Sequence, residues 1–293
     1  FDKSFNELAF RTAERVKNEL GWDMIEFEAA NNTQIEQGMR KVADRGANLV
    51  VAMGFAQADA VAAIAPQYPD VNFVAVDVCW VDDPAGNIYQ ACYKEHEGSF
   101  LVGMLAAMAS ESGKIGFVGG MDIPLIRKFQ GGYEQGALYV NPDIEIHANM
   151  TGTTPEAWNN PTKGAELTKA QIDKGADVVY QAAGGTGIGV LQAAADAGIM
   201  GIGVDTNQNW MHPGSMLTSM LKRLDLTIFE QAEKTAAGTF EPGINILGLA
   251  QGMVGYATED GMVTDEMAAA ADAAAAGIID LSLIHISEPT RPE

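Results

Sequence analysis

The stretch VVYQAAGGTGIGVLQAAADAGIMGIGVD, residues Val178–Asp205, decides the fold. Its apolar start (Val178, Val179, Tyr180) runs into small residues and Gly184-Gly185-Thr186-Gly187. A pattern of helical period follows, and a second apolar run closes on Asp205. That succession predicts a strand, a loop, a helix and a second strand. Strands joined through a helix lie parallel, and parallel sheets bind ligands beyond the carboxyl ends of their strands. The glycine loop and Asp205 sit at two such ends, which makes Gly184, Gly185, Thr186, Gly187 and Asp205 the first candidate site residues. The loop is not a dinucleotide fingerprint: Gly185 and Gly187 have the right spacing, but Val190 stands at the third glycine's place. Its bare backbone and the helix start after it are read instead as N–H donors for a neutral, polar ligand.

Outward from this stretch, the same alternation covers the chain. Upstream, a helix is expected from the SFN segment at 4–6 to about Leu20, a short strand at Ile25–Ala29 and a helix capped by Asn32. Strands follow at Leu49–Met53 (leading to Gly54-Phe55), Phe73–Val78 (carrying Asp77) and Ile88–Tyr93, with a helix from Ala58 to Ile64. Gly98–Ser110 reads as a helix apolar on most sides, hence buried. Then come a strand at Lys114–Val118, a loop ending at Asp122, a helix bearing Arg127, a strand at Ile144–Asn149 and a helix introduced by Trp158. Downstream lie a short strand leading to Lys222, a helix to Ala237, two late strands and an alanine-rich helix from Asp265. Alternation of this kind is the α/β class with parallel sheets, and its two successive sets suggest two similar lobes.

Composition narrows the function. The 293 residues are 47% apolar, enough for two cores, and carry 39 acidic against 18 basic side chains, a formal charge of −21. So acidic a chain is a poor partner for nucleic acid or an anionic membrane surface. No apolar run reaches the length of a membrane-spanning helix. A calcium loop fails at Trp210 and Met216, where glycine and a bidentate Glu are needed. There is no G-x-S-x-G elbow, and His96, His147, His212 and His285 are scattered. Neither a catalytic residue nor a metal site is expected, and no cofactor. Cys79 and Cys92 are read as two free, half-buried thiols, with a disulfide as the alternative in an oxidising compartment.

Six linked blocks carry a resemblance: SFN at 4–6, HEGSFLVGMLAAM at 96–108, KIGFVGGMDIPLIRKFQGGYEQGA at 114–137, AAGGTGIGV at 182–190, GVD at 203–205 and TSMLKRLD at 218–225. In order and spacing they resemble the basic membrane protein family, the substrate-binding proteins and lipoproteins of ABC transporters whose characterised members are purine nucleoside receptors. The resemblance implies a type I periplasmic-binding-protein fold, with two lobes joined by three crossovers and closing on a ligand between them. Lobe 1 is expected at 1–108 and 221–252, lobe 2 at 109–220 and 253–280. It also implies a monomeric receptor for a nucleoside, purine favoured, serving an ABC permease in the periplasm or at the outer face of the membrane. Relatives carry a leader, often with a lipid-anchored cysteine, and an initial strand ahead of SFN. Because that strand lies inside the sheet, a chain lacking it is expected to be less stable than one restoring it. Leu281–Arg291 (LSLIHISEPTR) resembles a translated sequencing adapter, so 281–293 is read as a non-native tail.

The candidate ligand residues follow, each with a structural alternative. Ser4, Phe5 and Asn6 open the chain; Phe5 reads as a ring stacking on a base or as core, and Asn6 as a ligand contact or a helix cap. Gly54 and Phe55 follow a strand. Asp77 ends the buried strand VAVD and needs a partner, either a base N–H or sugar hydroxyl, or a cap or salt bridge. Asp205 repeats it, and family resemblance implies ribose hydroxyls there. Trp158 is the counterpart of Phe5, or packs on its own lobe. Asp122 and Arg127 share a loop and helix start. Arg127 and Lys222 reach the ligand or neutralise Asp77 and Asp205. A sugar, a purine base or a signalling molecule is the alternative ligand, and a nucleoside-processing enzyme or a repressor the alternative class.

Overall fold

A computed structural model of the protein describes residues 2–29 and 31–283. Phe1, and the expected tail from 284 on with His285, lie outside the described residues. In chain order the first part holds α1 (Phe5–Leu20), α2 (Asn32–Asp44), β1 (Leu49–Met53), α3 (Ala58–Ile64), β2 (Asn72–Val76), β3 (Ile88–Tyr93) and α4 (Glu95–Ala109). The middle holds β4 (Lys114–Met121), α5 (Pro124–Val140), β5 (Glu145–Gly152), α6 (Pro161–Ile172), β6 (Val178–Ala182), α7 (Thr186–Asp196) and β7 (Met200–Asp205). The last part holds β8 (Met216–Lys222), α8 (Leu224–Ala237), β9 (Gly243–Leu247), β10 (Val254–Tyr256) and α9 (Asp265–Ile279).

These elements form two compact units. Of the described residues, one comprises 2–7, Lys94–Arg223 and 248–283; the other comprises Leu8–Tyr93 and Leu224–Leu247. The larger unit is built on a six-stranded sheet of order β10-β8-β7-β6-β4-β5, parallel except that β10 runs antiparallel to β8. The smaller has a parallel four-stranded sheet of order β1-β2-β3-β9. The central strands are mostly apolar because helices cover both faces: β3 and β6 are buried at every residue. In the larger unit Phe117, Tyr133 and Tyr180 form a fully buried ring cluster, with centroids 5.1–6.2 Å apart. In the smaller, Val61, Ile64, Phe73 and Ile88 lead the core.

Four expectations change. Ile25–Ala29 is not a strand: it joins no ladder, and among the described residues the smaller sheet ends at β1, paired with β2. Helix α2 is capped one residue earlier than expected, by Asn31 in extended backbone. The boundary expected near 108 falls at Tyr93, because α4 packs against α5, β8, β10 and α9 of the larger unit, with which residues 2–7 also group. Cys79 and Cys92 are not free thiols but a disulfide, with Cα atoms 5.7 Å apart. Both sit where the chain leaving β2 runs beside β3, close enough for a bridge.

Candidate functional site

In the larger unit the candidates gather at the carboxyl edge of the sheet. Asp205 ends β7 in the left-handed region, φ 66°, and is 7% exposed. A non-glycine residue holds this conformation only where its surroundings fix it, and Asp tolerates it better than most. Ser4, fully buried, supplies one restraint: its Oγ lies 2.5 Å from Asp205 Oδ2 and 3.2 Å from the Val204 carbonyl. Residues 2–4 precede α1 because Asp2 caps it. Asp2 Oδ1 accepts from the N–H groups of Ser4 and Glu7, and Oδ2 from the N–H and side-chain amide of Asn6. Asn6 is therefore neither the cap expected of it nor buried; it is exposed beside its capping partner.

Lys222, at the end of β8, forms a buried ion pair with Glu95. Its Nζ donates to Glu95 Oε1 at 2.9 Å, and both side chains are within 2% of complete burial. Lys128 Nζ stands 3.9 Å from the other Glu95 oxygen. The Lys222 ammonium lies 5.5 Å from the ring centre of half-buried Phe5 and 5.7 Å from that of Phe129, within cation–π range. Phe5 thus presents a ring beside a buried ion pair.

Trp158 closes a short 3₁₀ turn, Pro155–Trp158, and is half-buried. Its ring lies over Gly120, where a Cβ would overlap it, and its carbonyl is close to Gly184 and Gly185. It therefore packs on its own unit and keeps part of its surface open. The glycine loop is less available than expected. The N–H groups of Thr186, Gly187 and Ile188 donate to the carbonyls of Ala183, Gly184 and Gly185. Thr186 Oγ1 donates to the Ala157 carbonyl and accepts from Asn160 N–H, each at 2.7 Å, so it ties this loop to the turn carrying Trp158. Gly187 is needed for packing, since a Cβ would strike the Gln181 amide. Arg127 is also committed: its Nε and Nη2 grip Asp122 bidentately at 2.8 Å, and Nη1 donates to Gln130. Both Arg127 and Asp122 are exposed, and they bind one another rather than Asp77 or Asp205.

A buried polar network underlies Asp205. Gln208 Oε1 accepts from Val204 N–H (2.9 Å) and Gln181 Nε2 (2.8 Å), while its Nε2 donates to the Lys3 carbonyl (2.9 Å). Its backbone N–H donates to Ser219 Oγ, which donates in turn to Asn209 Oδ1. Gln181, Gln208, Asn209 and Ser219 are all essentially fully buried. Gly203 leaves room for them, because a Cβ would collide with Gln208 and Ser219. An isolated Gln or Ser has no periodic signature; alternation of a polar residue into a fully apolar strand, as at Gln181 and Ser219, was the one available hint.

The smaller unit repeats the arrangement by itself. Asp77 follows β2 in the left-handed region, φ 61°, and is 7% exposed. Its N–H donates to the Ala91 carbonyl at 2.9 Å. Beside it, Gly54 (φ 90°) donates its N–H to the Val76 carbonyl and opens a 3₁₀ turn at Phe55, which is half-buried. Gly54, Phe55 and Asp77 therefore share the carboxyl edge of β1 and β2. Each unit carries one buried, left-handed aspartate at the end of a parallel strand, where polar ligands are bound in such sheets. Among the described residues no group of three or more His, Cys, Asp or Glu could hold a metal, and no helix is long and apolar enough to cross a membrane.

Basic membrane protein A2 of Borrelia garinii is 32% identical over 289 residues, covering 97% of this chain and 84% of its own. The ABC transporter nucleoside-binding protein of Lactococcus lactis is 31% identical over 264 residues, covering 83% and 73%. An ABC transporter solute-binding protein from Aeropyrum pernix K1 superposes with a TM-score of 0.86 at 25% identity, covering 96% of this chain and 88% of that one. The fold is that of the type I periplasmic solute-binding proteins. The family model described as ABC transporter substrate-binding protein, PnrA-like, matches residues 1–282, and the chain belongs to that family.

Proposed function

We propose that this chain is the extracytoplasmic receptor of an ABC importer, that its solute is a nucleoside, purine favoured, and that it hands the solute to a permease as a monomer. The observation that carries the reading is the pair of buried aspartates, Asp77 and Asp205, held left-handed at the carboxyl edges of the two sheets. A carboxylate kept this dry is matched by N–H and O–H donors, and a nucleoside offers both, on its base and on its ribose. The nucleoside-binding relative from Lactococcus lactis supports the ligand class.

In this reading Asp205, steadied by Ser4 and Gln208, accepts from ribose hydroxyls. Asp77 reads the donor edge of the base. Phe5 and Trp158, each half-buried, give their open ring faces to the base; stacking of this kind is worth about 1–3 kcal/mol per base on truncation. Lys222 keeps its Glu95 partner and adds a positive field next to Phe5. Asp122, Arg127 and Thr186 serve the framework, since their side chains are spent on one another or on backbone. The reading is a binding protein rather than an enzyme, as the substrate-binding family of the chain supports.

Titration calorimetry of the full chain with inosine, guanosine, adenosine and free ribose tests this. At least one nucleoside is expected to bind with nanomolar to micromolar affinity and ribose far more weakly. Asp77→Ala is expected to lose at least tenfold, about 1.4 kcal/mol. No heat with any nucleoside rejects the ligand class, and unchanged affinity in the variant makes Asp77 structural.

A further inference from the structure

The segment leaving β2 is fastened to β3 at every second residue. Asp77 N–H donates to the Ala91 carbonyl. Cys79 is joined covalently to Cys92. Val81 N–H donates to Gln90 Oε1 at 3.0 Å, and the Val81 carbonyl accepts from Gln90 Nε2 at 2.7 Å. Gln90 is 2% and Cys92 4% exposed, so the anchoring side sits inside the core. Val78 and Val81 turn into the same core, while Trp80, between two anchors, turns outward, 60% exposed. The chain here has left the ladder: β2 ends at Val76, and no regular structure resumes before β3.

An excursion like this, beginning with a non-glycine residue at φ 61°, tends to relax toward ordinary backbone unless it is over-determined. Asp77 N–H alone does not hold the residues beyond it, and Gln90 acts only at the far end. The Cys79–Cys92 bond is the one covalent restraint between those two points. We infer that this disulfide is a positioning device for ligand binding: it holds the segment 77–81 so that the Asp77 carboxylate keeps its left-handed, buried placement, and an unbridged chain binds its ligand more weakly while remaining folded. The inference rests on the reading of Asp77 as a ligand residue.

Three measurements on the full chain decide it, comparing wild type, Cys79→Ala/Cys92→Ala, Asp77→Ala and the triple variant. First, hydrogen exchange: amides of 77–81 are expected to lose protection in the cysteine variant while β1 and β4 keep theirs. Second, calorimetry with inosine: the cysteine variant is expected to bind about five- to tenfold more weakly at an unchanged far-ultraviolet spectrum. Third, a double-mutant cycle: in the Asp77→Ala background, removing the cysteines is expected to cost less than twofold, because the two changes act through one group. A disulfide that only adds global stability lowers the melting temperature but leaves this non-additivity absent. Unchanged exchange at 77–81 overturns the inference whatever the ligand is. Lost protection with unchanged inosine affinity, or fully additive losses, overturns the link to Asp77. If wild type binds no nucleoside at all, the ligand class falls, and the same exchange comparison still decides whether the bridge orders the segment.

Discussion

Glu95 and Lys222 are the most buried opposite charges described in the chain, and their pairing sets what can be changed around Phe5. Removing one partner of a buried pair leaves the other without compensation, which costs about 3–5 kcal/mol, whereas replacing both by apolar groups is often neutral. Lys222→Met is therefore expected to lower the unfolding free energy by about that amount. Lys128, 3.9 Å from Glu95 and partly exposed, compensates only in part. The double variant Lys222→Met/Glu95→Leu is expected to recover most of the loss. Urea unfolding of the three proteins checks this, and a single variant within 1 kcal/mol of wild type contradicts it. At this scale the sequence disclosed Asp77 and Asp205, because a carboxylate at the end of an apolar run is conspicuous. It did not disclose Glu95, Gln208 or the Asp2 cap. Such residues take their meaning from partners across the fold: Glu95 and Lys222 are 127 positions apart, and Gln208 and Lys3 are 205 apart.

Helices α4 and α5 show how an element's start can hide. The apolar pattern of α4 begins at Gly98, yet the helix begins at Glu95 and buries Glu95, His96 and Glu97 as well. Those charges look like a solvated lead-in until their partners appear: Lys222 for Glu95, and Lys94 with the Leu249 N–H for Glu97. Strand β4 likewise continues three residues past Val118, through Gly119 and Gly120, which carry no apolar signal. The glycines of α5 have a sharper role. A Cβ at Gly132 would overlap the backbone of His96, and one at Gly136 the carbonyl of Phe100, while Gly103 on α4 faces the Tyr133 carbonyl in the same way. Backbone cannot yield as a flexible side chain does, so the two helices lie together only without those methyl groups. Overpacking costs about 1–3 kcal/mol, and Gly136→Ala is expected at the upper end, near 3 kcal/mol. Gly255 in β10 meets open space and is the control: Gly255→Ala should stay within about 0.5 kcal/mol of wild type. Equal unfolding midpoints for the two variants would show that α4 and α5 separate at no cost.

For the whole molecule, the alternation of strands and helices was legible because parallel sheets demand continuous apolar strands and crossover helices, both written in local periodicity. The division into units was less so, since its boundaries depend on which neighbour α4 packs against. The site was legible as strand ends and glycines, but Arg127, Asp122 and Thr186 turned out to be engaged by local partners that residue type alone does not reveal. Both units share one further property, a set of buried phenols. Burial pushes the Tyr89 hydroxyl up to about 12 and raises Tyr133 and Tyr180 well above 10, desolvation being the first cause in each case. In the unfolded chain a tyrosine titrates near 10. Between pH 10 and 12 the native state therefore holds protons that the unfolded state has released, and the stability these groups lend, fully present below pH 10, is lost as pH rises. The melting temperature is expected to hold to about pH 9.5 on this account and to fall steeply by pH 11. Tyr133 Oη is buried without a hydrogen-bond partner, so Tyr133→Phe removes an ionisable group at no loss of bonding. That variant should match or exceed wild type at pH 8 and fall less between pH 10 and 11. Parallel declines in the two proteins would assign the alkaline loss to other groups.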